Sequence, residues 1–183
     1  MNNLLVLPFL LPLLSAVGLL AARRSSRRRR ALNLLSFFVQ VLVALLIAFE
    51  AFTQGPLSLN VGLWKAPLGI ALAVDKMSAL FLSAASISTF LAVAYGYAET
   101  PARRSHPLRG PLIQFLAAGV SLAFITGDLF NLFVAFEVLL ISSYALMTLE
   151  AENAAIRHAF PYLAINLFGS TLFVSACGLA YSL

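Results

Sequence analysis

The feature that most constrains this chain is a series of long runs in which nearly every residue is apolar. Crossing about 30 Å of hydrocarbon at about 1.5 Å per residue takes roughly 20 residues of helix. Inside lipid each backbone N–H and C=O must be satisfied within its own helix, so such runs dictate an all-α integral membrane fold. Composition agrees. Of the 183 residues, 61% are hydrophobic and 10% charged, whereas a soluble domain carries about 25% charged residues to cover its surface.

About six transmembrane helices are expected. The first runs from Leu4 to Ala22 and the second from Ala31 to Phe52. A basic cluster follows the first span and none precedes it, the reverse of a secretory signal peptide, so it reads as a retained helix. Gly55-Pro56 then breaks the pattern. Leu57, Leu59, Val61 and Leu63 alternate with Ser58, Asn60 and Gly62, and a turn-like Lys65-Ala66-Pro67-Leu68-Gly69 precedes a second β-compatible run. Period-two alternation around a turn predicts a short hairpin outside the lipid, between Thr53 and Asp75. The third span is Met77 to Ala98, followed by a polar loop from Thr100 to Gly110. The fourth, Pro111 to Thr126, is short and turns at Gly127-Asp128 into the fifth, Leu129 to Leu149. A polar loop from Glu150 to His158 leads to the sixth, from about Ala159 to the end. The chain thus divides into 1–110, with helices one to three, basic loops and hairpin, and 111–183, with helices four to six.

The net charge of +5 does not point to nucleic acid, because six of the twelve cations are arginines at Arg23, Arg24 and Arg27 to Arg30, wedged between two apolar spans. Arginines so placed are a topology signal. The clusters at 23–30 and 103–109 lie two spans apart and face one side, read as the cytoplasm of a multi-pass protein in the cell (inner) membrane. The N-terminus, the hairpin and the 127–128 turn then lie outside. A single cysteine, Cys177, excludes an internal disulfide and a cysteine-based metal cluster. No HExxH, phosphate loop or GxSxG occurs, so no cofactor, metal or soluble-type catalysis is expected.

One charge is out of place. Of seven acidic residues, Glu50, Asp75, Glu99, Asp128, Glu150 and Glu152 fall at span ends or in loops, but Glu137 stands eight residues into the fifth span. By helical rise that is about 12 Å below the outer end. A charge at that depth costs on the order of 3 kcal/mol. A carboxyl group in oil escapes the cost by holding its proton, and an approaching cation favours releasing it. Such a group suits a proton path; a neutral glutamic acid serving as an interhelical hydrogen bond is the alternative reading. Tyr144 lies seven residues on, within about 20° of the same direction. On the sixth span Tyr162, Asn166, Ser170 and Cys177 form a polar stripe, which suits either a water chain or ordinary helix packing. Asp128 reads as the N-cap of the fifth helix, and His158 as an interfacial histidine or a point of proton entry.

The stretch Thr126-Gly127-Asp128-Leu129-Phe130-Asn131-Leu132-Phe133-Val134-Ala135-Phe136-Glu137-Val138-Leu139-Leu140-Ile141-Ser142-Ser143-Tyr144-Ala145-Leu146 closely resembles the D-type subunits of the multisubunit, Mrp-type cation/proton antiporters. Those are relatives of the antiporter-like subunits of respiratory complex I and membrane-bound hydrogenases. The relatives in complex I usually show Trp-Glu where this chain has Phe136-Glu137. Further matches are Trp64 to Ile70 with Asp75, and Tyr162 to Ser170. The resemblance implies a fold of about fourteen helices containing two inverted five-helix repeats, with this chain as the N-terminal portion and 111–183 as the first part of the first repeat. It implies that Glu137 transfers protons and answers to a lysine on a later helix, which this chain lacks because its last lysine is Lys76. The expected partners are the remainder of the same subunit, the other antiporter subunits, lipid, protons and a monovalent cation, with Na⁺ first. A redox-driven pump subunit and a non-transporting scaffold are the alternatives. The chain is expected to be a fragment.

Overall fold

A computed structural model describes residues 2–21, 26–61, 69–100, 106–149 and 153–182. The elements are α1 (Leu7–Ala21), led in by a 3-10 turn over Asn2–Val6, then α2 (Ser26–Gln54), β1 (Leu57–Val61), β2 (Ile70–Val74), α3 (Lys76–Glu99), α4 (Arg109–Ile125), α5 (Leu129–Thr148) and α6 (Asn153–Ser182). Among the described residues, five helices are long and apolar enough to cross a membrane, the first counted together with its 3-10 turn, and α4 is a shorter apolar helix.

Local chemistry explains the boundaries. Pro8 lacks the N–H that would bond back into the preceding turn, and the chain starts as a 3-10 turn before α1 settles; Pro12 sits inside α1. α2 stops at Gln54 because Gly55 adopts φ +90°, a left-handed conformation that glycine reaches freely. β1 and β2 pair antiparallel, from Leu57 opposite Val74 to Val61 opposite Ile70. The expected hairpin is therefore present; its turn, with Trp64 and Lys65, lies outside the described residues. Asp75 caps α3 by accepting the Ser78 N–H at 2.7 Å, and this bond, with the Ser78 hydroxyl, holds the exposed carboxyl below its usual range.

The basic cluster at 23–30, expected between two spans, and the expected loop at 150–158 both prove partly helical. Arg27 to Arg30 form the first turns of α2, which at 29 residues is longer than a bilayer crossing requires. The sixth helix begins at Asn153, so most of the expected Glu150–His158 loop is helix. Asn153-Ala154-Ala155-Ile156-Arg157 combines good helix formers with polar groups, and polarity alone does not make a loop. Pro161 sits inside this helix.

α4 is the centre of the bundle, packing on α5, α1 and α3, while α2 lies along α3 and α1, and α6 packs on α5. The main core joins α1, α2, α3, α4, α5 and the hairpin through Ile47, Leu72, Leu82, Leu122, Ile125 and Ala135. Arg30 closes the opposite end of α3. Its Nη1 donates to the Thr100 carbonyl at 2.6 Å and the Tyr97 carbonyl at 3.2 Å, and its guanidinium lies 4.9 Å from the Tyr97 ring centroid. A cation on the last carbonyls of a helix complements its dipole.

Candidate functional site

The site is built on α5, and Asp128 fixes where that helix starts. Its carboxylate accepts the Asn131 N–H at 2.6 Å, the N-cap expected from the sequence, and also the Ala71 N–H of β2 at 3.2 Å. The Gly127 N–H donates to the Ala71 carbonyl at 2.7 Å, and the Asn131 side-chain amide donates to Thr126 Oγ1 at 2.9 Å. The α4–α5 turn is thereby stitched to the hairpin, which satisfies backbone groups that two helix ends would leave open.

From there α5 turns Asn131, Ala135 and Ser142 inward, and all three are buried. α4 comes very close at this level. A Cβ placed on Gly119 would lie 2.8 Å from the Leu139 nitrogen and 3.0 Å from the Ala135 carbonyl oxygen. Gly119 therefore rests on the backbone turn of α5 that contains Glu137. Glu137 itself lies about 160° round the helix from Ala135, on the side turned away from α4. Its side chain is half-buried, with Oε1 enclosed and without a hydrogen-bond partner among the described residues. Leaving a buried polar atom unpaired costs about 1–3 kcal/mol. Tyr144, two turns on, is also half-buried on the same face.

None of the other expected groups whose side chains are described hydrogen-bonds the enclosed Oε1. Asn166 donates to the Tyr162 carbonyl at 2.8 Å and Ser170 to the Leu167 carbonyl at 3.2 Å, so both serve their own helix. Phe136 and Phe173 bring α5 and α6 together, edge to face, with centroids 6.0 Å apart. His158 falls on α6, and its side chain lies outside the described residues. Lys76 heads α3 with Nζ 5.7 Å from the Phe52 ring centroid.

Sequence reasoning missed a buried chain of amides. Gln40 Nε2 donates to Gln114 Oε1 at 2.8 Å, Gln114 Nε2 to Asn33 Oδ1 at 2.8 Å, and Asn33 Nδ2 to the Tyr97 hydroxyl at 2.7 Å. The chain ties α2, α4 and α3 together, and beside it the Ser15 and Ser36 hydroxyls are 2.6 Å apart, joining α1 to α2. Each amide turns its polar atoms on the next, which removes the penalty of burying them. The signal was available: Asn33 and Gln40 are seven residues apart, one face of one helix, and Gln114 is the polar residue near the head of the fourth span.

No family model matches the chain. Over 182 residues, all of its length, it is 36% identical to the Na⁺/H⁺ antiporter D subunit of Bacillus subtilis (strain 168). Over 183 residues it is 38% identical to a Staphylococcus saprophyticus protein named as the antiporter subunit mnhD2. The chain spans 37% and 36% of the length of these two relatives. Among solved structures, a chain of the Mrp complex from Dietzia sp. DQ12-45-1b superposes with a TM-score of 0.90 at 29% identity, covering 99% of this chain and 34% of that one. A chain of the membrane-bound sulfane sulfur reductase, an archaeal respiratory membrane complex, superposes with a TM-score of 0.85 at 25% identity, covering 100% of this chain and 37% of that one. The resemblance to antiporter D subunits read from the sequence thus holds along the whole chain, as does the all-α membrane fold.

Proposed function

We propose that this chain is the N-terminal part of a membrane subunit of a multisubunit monovalent cation/proton antiporter, and that Glu137 carries the proton. Its similarity to antiporter D subunits supports the parent assembly. The observation that carries the residue assignment is the Oε1 of Glu137, enclosed and without a hydrogen-bond partner among the described residues, midway along α5 on the face directed away from α4. An acid at this depth whose enclosed oxygen is not engaged by its neighbours is free to exchange a proton with whatever approaches it.

In this reading Glu137 is the group that passes the proton, and an arriving cation controls it. Approach of an ammonium group, supplied by the rest of the subunit, stabilises the carboxylate and expels the proton; withdrawal recaptures one from the other side. Tyr144 lies along the same face, where a water chain would need a hydroxyl. Asp128 acts at a distance by fixing the start of the helix. Asn166 and His158 lie on α6 as secondary candidates for proton access. Residues 111–183 form the first part of the repeated proton-channel unit, the arginine-bearing ends face the cytoplasm, and Na⁺ is the first cation to try.

The test uses the complete complex in sealed vesicles, with cation-driven proton movement followed by a pH-sensitive dye. Glu137→Gln and Glu137→Ala should each abolish the flux while leaving the complex assembled. Full flux in both variants would defeat the role assigned to Glu137 and leave this chain a scaffold. The likeness to a respiratory membrane complex favours a second reading, the corresponding subunit of a redox-driven pump. Genes for the other antiporter subunits beside this one would select the first reading; genes for an electron-transferring arm would select the second.

A further inference from the structure

At the arginine-bearing end of the bundle, a cleft between α2, α3 and the entry to α4 is lined by Arg29, Arg30, Tyr97, His106 and Arg109, and among the described residues no carboxylate lines it. Arg30 is committed to the end of α3. Arg29 and Arg109 bring two further positive charges to the same walls. His106 Nδ1 accepts the Leu108 N–H at 3.2 Å, which puts the ring proton on Nε2 as a donor. No acid stands in the described lining, and the cleft itself holds only about 20 Å³, room for roughly one water, so an anion would rest at its mouth beside Arg29, Arg109 and His106.

A second space begins where the first ends. Tyr97 and Arg109 also line a groove of about 440 Å³ between α3 and α4. Its walls are mainly apolar, Ala92, Val93 and Gly96 on one side and Ile113 and Leu116 on the other, with Ser88 and Thr89 at the far end. Ala92 leaves part of this room, while beside Gly96 lies the Arg109 guanidinium, with Nη2 3.6 Å from where a Cβ on Gly96 would stand. From Gly96 to Ser88 the groove follows about 12 Å of helix away from the charged end. A cationic cleft that opens onto an apolar groove running along the helices matches one class of molecule in both halves.

We propose that this cleft and groove bind an anionic phospholipid, with its phosphate at the mouth of the cleft beside Arg29, Arg109 and His106 and an acyl chain between α3 and α4. The charge selects lipids with a net negative headgroup, and the groove distinguishes a lipid from a free anion. Basic pockets at helix ends hold such headgroups through the same pairing.

The test purifies the complex containing this chain in mild detergent, adds phosphatidylglycerol or phosphatidylcholine, and counts retained lipid by native mass spectrometry. The wild type should retain phosphatidylglycerol preferentially. Arg29→Gln or Arg109→Gln should each reduce that preference about fivefold, and the double variant about 30-fold. Ala92→Phe leaves every arginine in place and should still lose the lipid, because the groove is filled. Unchanged retention in the double variant would overturn the proposal. So would displacement by inorganic phosphate together with full retention in Ala92→Phe, which would mark a plain anion site. Efficient cross-linking of Ala92→Cys to another subunit would overturn it too, by showing that protein occupies the groove.

Discussion

Gly119 of α4 rests on one side of the α5 turn whose other side carries Glu137. Gly119 has no side chain, so α4 can rest on the Ala135–Leu139 turn itself. A methyl group there would overlap backbone atoms that cannot move without shifting the helix, since its contacts fall at 2.8 and 3.0 Å. Overpacking of this kind costs about 1–3 kcal/mol. Gly119→Ala should therefore lower thermal stability in detergent. Gly18→Ala, with nothing within 4 Å of the added carbon, should be neutral or slightly stabilising through helix propensity. If the two variants melt alike, the close approach of α4 and α5 is not as tight as described. Glu137 was legible in the sequence because one acid in an apolar run needs no partner to be noticed. Gly119 was not legible: a glycine within a small-residue helix acquires meaning only from the helix that lands on it.

Between the elements, the link from the hairpin to the α4–α5 turn matters most to the site. Asp128 holds two elements at once, the first turn of α5 and the Ala71 amide of β2. Removing a cap of this type costs about 1 kcal/mol, and Asp128→Ala would also leave the Ala71 N–H without its side-chain acceptor. Asp128→Asn keeps an oxygen for the cap and should cost less. Hydrogen exchange should show faster exchange at Ala71 and Asn131 in Asp128→Ala than in Asp128→Asn; equal protection in both would separate the hairpin from the start of α5. The sequence carried the hairpin, because alternation is a local signal, and it carried the cap, because Gly-Asp before an apolar run is local too. It did not carry the joint between them, or the Gln40–Gln114–Asn33–Tyr97 chain, since both depend on which helices become neighbours. The displaced boundaries have a similar cause: arginines and asparagine were read as loop residues, although each is compatible with a helix that extends beyond the lipid.

For the molecule as a whole, the arrangement is lopsided. α1 to α5 and the hairpin share one core, whereas α6 touches the rest through α5 and presents Ile165, Phe168 and Leu179 outward at 72%, 67% and 69% exposure. Glu137 and Tyr144 lie on the face of α5 turned away from the bundle's centre. The carboxyl proposed to move protons is on the side of α5 away from α4, and the relatives are nearly three times as long as these 183 residues. Lys76 cannot supply that charge, because it heads α3 beside Phe52. Charge switching needs both a carboxyl and a mobile cation, so the 183-residue chain by itself should not exchange cations for protons. Reconstituted in liposomes, and shown helical by circular dichroism, it should give no dye response to an imposed Na⁺ gradient, while the assembled complex in matched liposomes responds. Exchange by the isolated chain, lost again in Glu137→Gln, would mean that Glu137 works without an approaching ammonium group, and the charge-switch mechanism would have to be abandoned.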